Sequence, residues 1–246
     1  LPVFRVKMRN FDYIADWTQA DYVDDDWRMT HALRGNCLFE EASAVLLRTT
    51  LPPGAEAIVG PMPVAGEYAV WINGEMKRKS IGPPVGKAST IELGELSAEK
   101  QNVLAIETYA HHTAAGLTKP VGVLCGPARI DRLRSWSELG FGFYSGRVLY
   151  SRSVTLDAGF KHVWLDLGDV QHYVEVYVNG RLVDTLLWPP YASEITDYVR
   201  QGRNDIALVV SNSIANRFAW DVWGTRGKGK AEPSGILGPA YLRIDR

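Results

Sequence analysis

The stretch Tyr173-Val174-Glu175-Val176-Tyr177-Val178-Asn179-Gly180-Arg181 constrains this chain more than any other. Its valines alternate with two tyrosines and a glutamate, the two-residue period of a strand with one buried face. The Asn-Gly pair that follows accepts the positive φ angles of a two-residue type I′ turn, which closes a hairpin. About a hundred residues earlier the same device stands as Glu67-Tyr68-Ala69-Val70-Trp71-Ile72-Asn73-Gly74-Glu75. The hairpin is therefore one part of a repeat.

The likeness extends in both directions. Ten residues after each turn asparagine comes a proline pair, Pro83-Pro84 after Asn73 and Pro189-Pro190 after Asn179. Upstream, Val45-Leu46-Leu47-Arg48-Thr49-Thr50-Leu51 matches Leu149-Tyr150-Ser151-Arg152-Ser153-Val154-Thr155-Leu156 with one residue of slippage. Downstream, Asn102-Val103-Leu104-Ala105-Ile106 matches Asn204-Asp205-Ile206-Ala207-Leu208, and Gly122-Val123-Leu124-Cys125-Gly126-Pro127-Ala128 matches Gly235-Ile236-Leu237-Gly238-Pro239-Ala240. Four collinear blocks at this spacing, too long for a solenoid unit, indicate a duplicated domain.

A chain of 246 residues holds two such domains, each with its own core. The glycine-bearing stretch near residues 131–143 is the expected boundary, giving domains of residues 1–134 and 135–246. On either side, short alternating segments follow one another with Gly and Pro between them and no helical period. The expected class is all-β, as two tandem β-sandwich jelly rolls.

With 27 basic against 28 acidic residues, nothing global attracts nucleic acid or an anionic membrane. No apolar run approaches the ~20 residues of a membrane span. The start carries no signal-peptide pattern, and a first residue of Leu1 rather than methionine reads as a processed or excised piece of something longer. Cys37 and Cys125 both fall in the first copy. They form a disulfide if the first and last strands of that domain are neighbours, or stay as two buried thiols, and neither has zinc-ligand spacing. Residues 16–27 form a polar run bracketed by Trp17 and Trp27. Its aspartates, Asp24-Asp25-Asp26 above all, either help to hold a structural calcium or form an exposed turn that lets Trp27 fold back onto the core.

In the second copy, Tyr144-Ser145-Gly146 ahead of Arg152, Val163-Trp164-Leu165-Asp166-Leu167-Gly168, the Val-Asn-Gly turn, Trp188-Pro189-Pro190-Tyr191, Glu194-Ile195-Thr196-Asp197, Asn216-Arg217 and Ser234-Gly235-Ile236-Leu237-Gly238-Pro239 together resemble the galactose-binding-like jelly rolls of large glycoside hydrolases. The likeness is to carboxy-terminal domains of family 106 α-L-rhamnosidases and sugar-binding domains of family 2 enzymes. The first copy resembles the same group more loosely, through Asp24-Asp25-Asp26-Trp27, Leu51-Pro52 and Trp71-Ile72-Asn73-Gly74. The resemblance implies a jelly roll accompanying the catalytic domain of a secreted or periplasmic polysaccharide-degrading enzyme, and related jelly rolls often carry a structural calcium ion. The family's catalytic residues belong to a separate barrel, so none transfers.

Comparing the copies separates framework from additions. Gly82 and Val85 flank the first proline pair, Trp188 and Tyr191 the second. From Asn102 to Gly122 is 20 residues, whereas from Asn204 to Gly235 is 31, an insertion of 11. It contains or adjoins Arg217, Trp220, Trp223 and Arg226. Flat aromatics and cationic side chains match the apolar faces and hydroxyl rim of a sugar ring, and loops are where a rigid scaffold carries its binding residues. The expected site is Trp220, Trp223, Arg226, Trp188, Tyr191 and Arg217, although the same tryptophans would serve to pack the loop. His111-His112 in the matching loop of the first copy are a weaker candidate. Trp71 and Tyr177, at matching positions opposite the core valines, either line an open sheet surface or cover a second layer.

Glycoside hydrolysis needs two carboxyl groups about 5 to 10 Å apart, one with a raised pKa. Glu40-Glu41 and Asp24-Asp25-Asp26 fit exposed turns instead, and only Asp221 lies among aromatics. The reading is a non-catalytic carbohydrate-binding pair whose partners are a plant or algal cell-wall polysaccharide or oligosaccharide and the catalytic domain of a parent enzyme. The alternative is a structural accessory that packs against that domain and binds no glycan.

Overall fold

Alternating residues broken by glycine and proline fold here as antiparallel strands, in a computed structural model that describes residues 3–9, 13–31, 44–64, 66–81, 90–97, 100–109, 115–216 and 231–246. The chain divides into two units, Leu1–Asp131 and Arg132–Arg246. The first contains β1 (Val3–Arg9), β2 (Arg28–His31), β3 (Ala44–Thr50), β4 (Ala55–Ile58), β5 (Tyr68–Ile72), β6 (Glu75–Ser80), β7 (Ile91–Glu92), β8 (Val103–Tyr109) and β9 (Val123–Cys125). They form a sheet of order β2-β1-β3-β8-β5-β6 and a smaller sheet β7-β4-β9. Between them lies a core in which Val45, Leu47, Val70, Leu104 and Ile106 meet Ala55, Ile58, Ile91 and Leu93.

The second unit contains β10 (Arg147–Leu156), β11 (His162–Asp166), β12 (Asp169–Gln171), β13 (Tyr173–Val178), β14 (Arg181–Leu186), β15 (Ala192–Glu194), β16 (Gly202–Ser211), β17 (Gly235–Gly238) and β18 (Tyr241–Asp245). Its sheets are β10-β16-β13-β14, β15-β11-β18 and the pair β12-β17. Val174, Val176 and Val178 point inward, as their alternation requires, and pack with Val163, Leu165, Leu167, Ile195, Ile236 and Trp136. Burying each such valine stabilises the fold by about 1.5 to 3 kcal/mol.

The repeat reappears as topology. The order β3-β8-β5-β6 matches β10-β16-β13-β14, and β7-β4-β9 matches β15-β11-β18, so the chain forms two tandem β-sandwich jelly rolls. Each hairpin turn has two residues in the left-handed region, Asn73 and Gly74 at φ 50° and 86°, Asn179 and Gly180 at 50° and 80°. Each hairpin also shifts register at the same place, between Val70 and Trp71 and between Val176 and Tyr177.

A pair of asparagines fastens each turn. Asn73 Nδ2 donates to Asn102 Oδ1 (2.9 Å) and its Oδ1 accepts from Val103 N (2.8 Å). Asn102 in turn donates to Ser97 O (2.8 Å) and accepts from Ser97 N (3.0 Å). In the second unit Asn179 donates to Asn204 Oδ1 (3.0 Å) and accepts from Asp205 N (3.0 Å), while Asn204 donates to Arg200 O (2.7 Å) and accepts from Arg200 N (2.9 Å). Side-chain amides thus satisfy backbone groups that the strand ends would leave unpaired.

The first unit adds a layer. β1 and β2 extend its larger sheet, β1 pairing with β3 and β2 with β1. Residues 16–27 lie on the sheet's outer face, where Trp17 and Trp27 pack with Leu46, Ala105 and Trp71. The Trp17 and Trp27 rings stack 6.2 Å apart, and Trp17 meets Trp71 edge-on at 5.4 Å. Trp71 therefore lies beneath a second layer. The Arg48 guanidinium, 2% exposed, pins this layer. It donates to Asp24 (2.8 Å), Gln19 O (3.0 Å), Tyr22 O (3.3 Å) and Trp17 O.

The structure decides between two pairs of alternatives and corrects one pairing. The aspartate run is the Trp27 turn: Asp24 pairs with Arg48 and Arg5, Asp25 with Arg5 and Asp26 with Lys7. Side-chain cations stand where calcium was considered, and no cluster of three or more metal-binding side chains occurs among the described residues. Cys125 is a free, exposed thiol, so it forms no disulfide with Cys37, which lies outside the described residues. The sequence pairs Arg48 with Arg152, but Arg48 stands opposite Ala105 whereas Ala207, the matching position on β16, stands opposite Ser151. A one-residue slip exchanges the faces of a strand.

Candidate functional site

Strand direction brings Trp188 and the two described flanks of the insertion to one end of the second sandwich, away from the Asn179-Gly180 turn. Arg147 at the start of β10 and Tyr173 at the start of β13 both stand opposite Ser211 at the end of β16. Leu186, at the end of β14, stands opposite Val174. Trp188 follows directly, and the chain leaves β16 at this end toward residues 217–230.

Trp188 is 71% exposed and Leu187 beside it is exposed too. An indole held in water on a loop beside a proline pair leaves unrecovered the hydrophobic free energy that its burial would supply. Tyr191, expected beside it as a ligand contact, lies in the core at 7% exposure. Its hydroxyl donates to His172 O (2.6 Å), its carbonyl accepts from Leu167 N (2.9 Å), and burial, then the charge of Asp169, pushes its pKa up. Tyr191 braces the Trp188 loop rather than presenting a ring to solvent.

The base of the insertion is clamped. Asn216 donates to Glu232 O (3.0 Å) and Ser234 Oγ (2.8 Å) and accepts from Glu232 N (2.7 Å). Asn212 donates to Tyr144 O (2.7 Å) and Ser234 Oγ (3.1 Å) and accepts from Gly146 N (2.9 Å). Ser234 N donates to Ser135 Oγ (3.2 Å). Both ends of the inserted stretch are thus fixed by buried polar side chains at the end that carries Trp188. Arg217, Trp220, Trp223 and Arg226 lie outside the described residues, as do His111, His112, Pro83 and Pro84. Residue spacing marked Asn216 and Ser234 only as parts of the resemblance, because a clamp between residues 18 apart has no periodicity.

Nearby charges are matched within the fold. Arg147 meets Glu175 at 2.5 Å, and the Tyr177 hydroxyl donates to the other Glu175 oxygen at 3.1 Å. Away from this end, hydrogen bonds from His162 and Thr196 hold the Glu194 carboxyl below the usual range, and those from Ser153 and Arg203 do the same for Asp205 beside the Asn179-Gly180 turn. A general acid needs the opposite shift.

No family model matches the chain. Over 106 residues, 40% of this chain, it is 31% identical to a protein of Formosa agariphila described as a "Putative beta-glucuronidase", and spans 9% of that protein. Among solved structures it is similar to a rhamnosidase from Novosphingobium sp. PP1Y (20% identity, 81% of this chain, 23% of that chain, TM-score 0.42). It is also similar to a beta-glycosidase from Bacteroides vulgatus (13% identity, 86% and 28%, TM-score 0.42). The chain thus spans less than a third of each of these relatives.

Proposed function

We propose that this chain is a non-catalytic, carbohydrate-binding part of a secreted or periplasmic glycan-degrading enzyme. Its second unit binds a plant or algal cell-wall glycan at the Trp188 end, with Trp220, Trp223, Arg226 and Arg217 of the insertion as further contacts. The observation that carries this reading is Trp188 itself, a 71% exposed indole at the place where the second copy departs from the first. The 31% identity to a protein described as a glucuronidase supports the enzyme context. Trp188→Ala is expected to weaken retention on insoluble pectic, hemicellulosic or algal polysaccharide by about 1 to 3 kcal/mol, the scale of an aromatic anchor, with an unchanged melting temperature. Equal retention of the variant would remove Trp188 from the site, and the absence of any retention by the parent chain would refute the binding reading.

A second reading, an accessory that packs against a catalytic domain, is favoured by the outer face of β10-β16-β13-β14. There Leu149 is 65% exposed and Leu182 is exposed, a surface suited to burial against protein.

A further inference from the structure

The solvent face of the three-stranded sheet β15-β11-β18 is separate from the Trp188 end and has its own chemistry. Val163 and Leu165 are buried, so the alternation of β11 turns His162, Trp164 and Asp166 outward. Register arranges their neighbours: Trp164 stands between Glu194 and Arg243, Asp166 between Ala192 and Tyr241, and His162 opposite Asp245. A half-buried indole thus occupies the centre of the face, ringed by donors and acceptors, with a second aromatic, Tyr241, 52% exposed at one corner.

These groups are held before any ligand arrives. The Arg243 guanidinium lies over the Trp164 ring, 5.2 Å from its centre. The Tyr241 hydroxyl donates to Asp166 (2.8 Å), His162 Nδ1 meets Glu194 Oε1 (2.7 Å), and the Thr196 hydroxyl donates to the same oxygen (3.0 Å). Side chains already fixed in this way lose little rotamer freedom on binding. The matching sheet of the first unit has no aromatic residue in its strands, Ala55–Ile58, Ile91–Glu92 and Val123–Cys125. Trp164 and Tyr241 are therefore not required by the fold.

We propose that this face is a second carbohydrate-binding surface, which takes a neutral glycan chain across Trp164 and Tyr241. A sugar ring rests its C–H face on Tyr241 and on the part of the Trp164 indole that Arg243, lying over that ring, leaves uncovered, and its hydroxyls meet Asp166, Glu194 and Arg243. Neutrality follows from charge: Asp166, Glu194 and Asp245 outnumber Arg243, so a uronate or sulfate would be repelled. A protein partner fits less well, because protein interfaces deplete charged residues at their centre and here charges surround the indole directly. The inference rests on the glycan-binding reading of this unit, but not on Trp188.

The test follows the indole N–H signals of the full, nitrogen-15-labelled chain during titration with cellohexaose, mannohexaose and trigalacturonic acid, Trp164 and Trp188 being assigned from Trp164→Phe and Trp188→Phe. A neutral hexaose is expected to shift the Trp164 signal, and the acidic trimer to leave it in place. Trp164→Ala and Tyr241→Ala should each weaken that binding by about tenfold or more, while Trp188→Ala leaves it unchanged. Tyr241→Ala removes an exposed ring and so keeps the test valid if Trp164→Ala fails to fold. Movement of the Trp188 signal alone overturns this face and leaves the earlier reading standing, whereas movement of neither overturns this face and leaves the earlier reading to the retention assay. Preference for the acidic trimer, unchanged affinity in Tyr241→Ala, or a Trp164 signal that responds to protein concentration but not to sugar also overturns it.

Discussion

The larger sheets of the two units share strand order, turn geometry and asparagine fastening, yet their outer faces differ. In the first unit Leu46 and Ala105 are fully buried with Trp17 and Trp27. In the second, register puts Leu149 and Ala207 at the same positions, and Leu149 faces water. Arg48, which holds the tryptophan layer, corresponds to Ser151, an exposed residue with no such task. The common sandwich is therefore sufficient without a third layer. What the first unit covers with its own chain, the second leaves available.

The largest test of this difference is Arg48→Ala. It removes a buried guanidinium from a carboxylate and three carbonyl oxygens, and is expected to cost the first unit about 3 to 5 kcal/mol. Ser151→Ala should stay within about 0.5 kcal/mol. Denaturant unfolding of the two variants measures both, and similar losses would mean that the tryptophan layer is not what distinguishes the units. Arg48→Lys restores charge without the planar fork and should recover only part of the loss.

Asn73→Ala and Asn179→Ala probe what the units share. Each strains a left-handed turn position and orphans partners in the asparagine pair, at about 2 kcal/mol. The two losses should agree within about 1 kcal/mol on the same unfolding measurement, and a wider gap would break the equivalence of the fastenings. Glycine in either place keeps the turn geometry and forfeits the hydrogen bonds, so it should fall between alanine and the parent.

The smallest expected effect is alkaline. Burial, then a hydrogen bond to Glu107, raises the Tyr109 pKa to about 12. Because the folded pKa lies above the unfolded value near 10, this contribution is complete below about pH 10 and is lost as pH rises from there through 12. Tyr109→Phe should flatten that stretch of the stability profile. In the second unit a hydrogen bond to Glu175 is the main cause that raises Tyr177, so Tyr177→Phe should change its alkaline profile less.

The strands were legible because half-buried segments must alternate, and the turns because few residues besides Asn and Gly accept positive φ. Register was less so: both β3 and β10 carry an arginine near the same place, and only pairing with β8 and β16 shows that Arg48 and Arg152 face opposite ways. The outer layer was hidden because residues 16–27 are mostly polar and aperiodic, and their apolar residues, Trp17, Ala20, Tyr22, Val23 and Trp27, follow neither strand nor helix spacing. At the candidate site, comparison of copies identified Trp188 and Tyr191 as additions, but an added aromatic carries no mark of its direction, and Tyr191 turned inward. Trp164 was readable from the alternation around Val163 and Leu165, yet it stood inside a motif that served the fold.

The fastened turns also bear on how this protein ages. An asparagine followed by glycine is the pair at which a chain most readily deamidates: the next backbone nitrogen attacks the side-chain carbonyl carbon, ammonia leaves, and water opens the resulting succinimide ring to aspartate or isoaspartate. In each folded unit both ends of that amide are engaged, Asn73 by Asn102 and Val103 and Asn179 by Asn204 and Asp205, so the reaction has to wait for the turn to open. Once converted, the new carboxylate faces the Oδ1 of Asn102 or Asn204 with no proton between them. An opened molecule is thus the one that is damaged, and the damage hinders its return; peptide mapping of stored protein should find aspartate at residues 73 and 179 concentrated in the unfolded fraction.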